Sequence, residues 1–167
     1  MAKVKETVWR DLTGQSDRWV RTLLLGVIVG RLSLLVIGVG VLMAFGGGAL
    51  EGFSGLIEIP DLEWMFFGLL FAPIVESLGI RLAVWVLGSR IGWGWPVWAT
   101  ALICAALAIP LHGLTPLSFA VAPFFALMAS VQHNWMNKGR AWAGFWLIVV
   151  IHAVANGAAI GAMILLG

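Results

Sequence analysis

The sequence predicts an all-α membrane protein, a polytopic bundle of about five transmembrane helices with its N-terminus in the cytoplasm and its C-terminus outside. Three observations predict it. Hydrophobic residues make up 61% of the 167-residue chain and charged residues only 11%, too few to cover a soluble surface of this size. The apolar residues fall in runs of about 20 or more, the length a helix needs to cross the hydrocarbon core. Finally, the basic residues gather in alternate connections between those runs.

Residues 1–21 are polar and mixed in charge, with Lys3, Lys5, Arg10, Arg18 and Arg21 set against Glu6, Asp11 and Asp17. With Trp9 and Trp19 this stretch suits a short helix lying at the membrane surface. The apolar run after Arg21 is longer than the roughly 7–15 residues of a signal-peptide core, so it is expected to stay as the first span. Spans are expected at about 22–45, 63–88, 96–113, 117–135 and 142–166. The third is the least regular, because Pro110 and Pro116 bracket its end around His112 and Gly113. Such a break needs protein or a wet cavity to satisfy the freed backbone groups. No repeat or long linker divides residues 22–167, which read as one helical domain. The pairs Gly26/Gly30 and Gly157/Gly161 suit close helix packing.

Orientation follows from charge. With the N-terminus inside, Arg90, Lys138 and Arg140 join the basic N-terminal segment on the cytoplasmic side. The outer connections then hold no Lys or Arg, and the first carries Glu51, Glu58, Asp61 and Glu63. Trp93, Trp95, Trp98, Trp135 and Trp142 cluster at the inner boundary as an aromatic belt. The expected location is the cytoplasmic (inner) membrane. The single cysteine, Cys104, lies inside an apolar run and excludes a disulfide framework.

Within the spans lie Arg31, Glu76, Arg81, His112, His152 and Asn156. A charge at mid-membrane costs about 2.5 kcal/mol or more, so such residues pair, line a wet cavity or do chemistry. Arg81 can snorkel toward the inner headgroups. Arg31 lies ~15 Å along its helix and has Glu76 as its one available buried anion, so a structural Arg31–Glu76 pair is one reading. Glu76 and Arg81, five apart, point ~140° away from each other. His152 and Asn156, four apart, share one helix face and offer donors to a common point; their simplest use is interhelical polar glue. Together the set suggests more. A carboxylate beside an imidazole can activate water, and a second donor pair can hold an oxyanion. His133, in the run Gln132-His133-Asn134, reads as an ordinary interfacial histidine at the inner end of its span.

The segments Glu76-Ser77-Leu78-Gly79-Ile80-Arg81, Ala108-Ile109-Pro110-Leu111-His112 and His152-Ala153-Val154-Ala155-Asn156 occur in that order on successive spans. They resemble the EExxxR, FxxxH and HxxxN motifs of the CAAX protease and bacteriocin-processing (CPBP or Abi) family of intramembrane glutamic endopeptidases, over residues 62–166. Ser77 stands where the family has a second glutamate, and Ala108 where it has phenylalanine. The resemblance implies that Glu76 and His112 activate the attacking water, that His152 and Asn156 hold the oxyanion, and that Arg81 supports the site. It implies no cofactor. Zinc held by Glu76, His112 and His152 is the lower-ranked alternative, since the chain has no HExxH pairing.

The expected function is hydrolysis of a peptide bond near the cytoplasmic leaflet. The expected partners are a peptide or membrane-protein substrate and membrane lipids, not nucleic acid. Two other readings stand beside it: a non-catalytic scaffold or immunity protein of the same fold, motivated by Ser77, and a small proton-coupled transporter subunit using Glu76 and the histidines as a relay. The absence of an inverted repeat speaks against the latter.

Overall fold

The structure is a computed structural model that describes residues 2–12, 15, 18–45, 61–92, 94–113 and 116–166. Every secondary-structure element among them is helical. Helix α1 spans Ala2–Leu12 and α2 spans Trp19–Phe45. Next, α3 (Leu62–Phe66) runs through one π-helical turn (Phe67–Phe71) directly into α4 (Ala72–Ile91). The remaining helices are α5 (Val97–Leu111), α6 (Pro116–Asn137) and α7 (Ala141–Leu166). Each expected span thus coincides with a helix to within a few residues. Among the described residues, two stretches are by length and composition long enough and apolar enough to cross a membrane, Phe67–Ile91 and Ala141–Gly161; Val97–Leu111 is apolar but shorter. Glu51, Glu58 and Trp93 lie outside the described residues.

The breaks between helices follow from backbone chemistry. Pro96 precedes α5 with an extended ψ of 133°, as a residue before the first turn must. The same helix ends where Pro110 can donate no N–H and Gly113 takes a φ of 88°. Gly139, at φ 71°, turns the chain between α6 and α7.

Helix α6 is the centre. It packs on α2, α4, α5 and α7, and from Met128 to Trp135 every residue on it is buried. Around it Val84, Ile148 and Ile151 complete a dense core with Met128 and Val131. The Gly26/Gly30 face of α2 packs as its spacing foretold. A Cβ on Gly26 would lie 3.1 Å from Ile151, and one on Gly30 only 2.5 Å from the Phe124 ring. Gly157 approaches Leu69, whereas Gly161 faces open space. Outward, the helices are no less apolar: Leu32, Leu35, Leu82, Leu102, Trp85 and Trp146 are all exposed. A surface of that kind is stable only against an apolar surrounding or a partner.

Two sequence-based expectations are corrected here. Trp135 is not part of an exposed aromatic belt but buried in the core, while Trp98 and Trp142 do face outward. His133 is not an interfacial side chain either. It is buried, and its Nδ1 lies 3.0 Å from the Thr100 hydroxyl, which ties α6 to α5.

At the N-terminus, α1 folds back on α2. The Thr22 hydroxyl donates to the Asp11 carbonyl, and Arg21 lies 3.5 Å from the buried Asp11 carboxylate.

Candidate functional site

Helices α4, α5 and α7 bring three of the sequence-identified residues together. Glu76 projects from the second turn of α4, five residues past the π-helical turn. Its Oε2 lies 3.6 Å from Nε2 of His152 on α7 and 3.9 Å from Nε2 of His112 at the end of α5. Positions 76 and 152 are far apart in sequence; only the tertiary fold makes them neighbours. The separations exceed a direct hydrogen bond and suit one intervening donor or acceptor.

The two imidazoles are held differently. His112 Nδ1 lies 2.9 Å from the carbonyl of Ala108, one helical turn back. A carbonyl only accepts, so Nδ1 carries the proton, and in the neutral ring Nε2 presents its lone pair to Glu76. The Ser118 hydroxyl donates to the His112 carbonyl at 3.1 Å, pinning the end of α5 to the start of α6. His152 is buried among the rings of α6, edge-on to Phe124 at 5.4 Å and to Phe125 at 6.3 Å. Phe125 also meets the His112 ring at 5.1 Å, so one aromatic side chain spaces both histidines. Side-chain exposure separates their roles: 30% for Glu76 and 32% for His112, but 7% for His152. Glu76 and His112 line a cavity, whereas His152 is buried and does not.

That cavity is a cleft of about 490 Å³ between α4 and α5, floored by Phe125. Its walls are apolar, the small Gly79 and Ala83 standing beside Ile80 on one side and Cys104 and Ala108 beside Leu107 on the other. These positions lie on the faces that carry Glu76 and His112, so the polar pair caps one end of an apolar trough.

The other candidates fall outside the carboxylate–imidazole cluster. The Asn156 amide donates to the Gly68 carbonyl at 2.8 Å, on the π-helical turn, and so does not join His152 at a common point. Arg81 stacks 3.8 Å over the Trp142 ring, which links α4 to the start of α7. Arg31 and Glu76 form no ion pair among the described residues. The carboxylate is turned to the imidazoles, and Arg31 keeps a buried Nε with no hydrogen-bond partner there. Ser77 is fully buried with its hydroxyl likewise unpartnered, so its position points into the packing and not into the cleft. Among the described residues no group of three His, Cys, Asp or Glu side chains is arranged to hold a metal ion.

Sequence reasoning missed four contributors: the Ala108 carbonyl, Ser118, Phe125 and the Gly68 carbonyl. The first had a signal, since a histidine at a helix end can reach the carbonyl four residues back. Phe125 had none, being one apolar residue in an apolar run. Comparison of the chain with protein-family models, with curated proteins and with solved structures gives no match.

Proposed function

We propose that the chain is an intramembrane endopeptidase of the glutamate/histidine type, similar in its site to the CPBP family, embedded in the cytoplasmic membrane by five spans with the N-terminus inside. The observation that carries this reading is the convergence of Glu76 with His112 and His152 from three helices. The apolar outer faces of the helices and the basic residues of the inner connections support the membrane topology.

The chemistry follows from the donor inventory. Glu76 and the lone pair on His112 Nε2 are both acceptors 3.9 Å apart, an arrangement that repels unless a donor sits between them. Water is that donor, giving one O–H to each. Glu76 takes the proton as the water oxygen attacks a substrate carbonyl lying in the cleft, and returns it to the leaving amine. His152, as the Nε2–H tautomer, points a donor to the same locus and stabilises the tetrahedral oxyanion. Arg81, through its stack on Trp142, keeps α7 in place against α4. The apolar trough beside the pair suits an apolar stretch of membrane-embedded peptide.

Glu76→Gln is isosteric and removes the base. In purified chain reconstituted into lipid with a candidate membrane-peptide substrate, it is expected to lower the rate at least 100-fold. Its helical circular dichroism and melting temperature should stay close to the parent's. An unchanged rate would sink the mechanism and leave the scaffold reading. Activity is expected to survive EDTA and 1,10-phenanthroline; loss restored by added zinc would move the assignment to the metal alternative.

A further inference from the structure

Residues Phe67–Phe71 form a π-helical turn, and the backbone explains what that turn lacks. In it the Ala72 N–H reaches back five residues to the Phe67 carbonyl. The next N–H in the same register, the one that would serve Gly68, belongs to position 73. That residue is proline and has no N–H. Ala72 is already engaged, so the backbone leaves the Gly68 carbonyl without its ladder partner inside an apolar bundle. Such a carbonyl is costly there unless a side chain reaches it. The donor that reaches it is the Asn156 amide, at 2.8 Å from α7.

We propose that Asn156 is a positioning residue. Its side chain stands in for the N–H missing at Pro73, holds the π-helical turn, and thereby sets the rotation of α4 that turns Glu76 to the two histidines. A π turn carries one residue more than the α-helix it interrupts, and each residue turns the helix by about 100°. Glu76 lies five positions past the end of the turn, so losing the turn would swing the carboxylate out of line with α7. The same α7 face makes both contacts, His152 to Glu76 and Asn156 to Gly68, four residues apart. Two points of attachment fix a rotation where one does not.

The activity readout of this inference rests on the endopeptidase reading; its stability readout does not. The test is a double-mutant cycle with Asn156→Ala and Pro73→Ala, in lipid, at a temperature where all variants are folded. Asn156→Ala is expected to lower kcat about 10–100-fold with little change in KM, since a small misplacement of the base is enough. Pro73→Ala restores the backbone donor at position 73, so the double variant should regain most of the lost kcat and most of the lost melting temperature. Should Asn156→Ala alone not fold, it is made in the Pro73→Ala chain, where it is expected to fold and keep that chain's rate. Equal losses from Asn156→Ala with and without Pro73 would overturn the inference and return Asn156 to direct contact with the substrate. A stability rescue in a chain that cleaves nothing would support the positioning of the turn and overturn only the hydrolytic reading.

Discussion

At the scale of single residues, the site is built from side chains whose partners are mostly backbone. His112 is oriented by a carbonyl on its own helix and anchored by Ser118, and Asn156 serves a carbonyl that proline left open. Rings hold the other two, Phe124 and Phe125 against His152 and Trp142 against Arg81. The Arg81 stack on Trp142 at 3.8 Å predicts that Arg81→Met, which keeps the stem and removes the cation, lowers stability by about 0.5–2 kcal/mol in detergent unfolding. Trp142→Leu should cost a similar amount, and the double variant little more than either alone. Fully additive costs would show that the stack contributes nothing. The presence of buried ionisable residues was legible in the sequence, because charge in an apolar run is conspicuous. Their pairing was not. Arg31 looked like the partner of Glu76 from composition alone, yet which faces meet depends on how α2 and α4 rotate against α6, and no local pattern states that.

At the scale of helices, two glycine positions make opposite predictions. Gly30 touches the Phe124 ring so closely that an added Cβ would lie 2.5 Å from it. Gly30→Ala should therefore overpack the α2–α6 contact and cost about 1–3 kcal/mol, read as a lower melting temperature. Gly79 lines the cleft, and nothing lies within 4 Å of a Cβ placed there. Gly79→Phe should fold with a melting temperature near the parent's and fill the trough beside Glu76. In the cleavage assay it is expected to raise KM at least tenfold for an apolar substrate; an unchanged KM would show that substrate does not lie between α4 and α5. Helix positions themselves were legible, since run length and proline placement mark them. The π-helical turn was half legible: Pro73 signals a disturbance, but its form depends on a donor from α7.

At the scale of the whole molecule, the proposed N-in arrangement predicts which loops a membrane-impermeant thiol reagent can reach. In a Cys104→Ala background, a cysteine at Lys138 should be labelled only after the inner face of sealed vesicles is opened to the reagent, and one at Asp61 from the outer face directly. The reverse pattern would invert the topology and with it the side from which the cleft is approached. Composition, the spacing of apolar runs and the asymmetry of charge determined by themselves that the chain is helical, where its helices run, and which few polar residues are anomalous. These are local or additive properties, set by the cost of exposing backbone and charge to hydrocarbon. Tertiary structure alone decided that Glu76 meets two histidines and not Arg31, that His133 and Trp135 are core, and that Asn156 serves the π-helical turn. Those outcomes depend on the relative rotation of packed helices. An apolar helix without a polar face encodes that rotation only in the fit of its neighbours, such as Gly30 against Phe124.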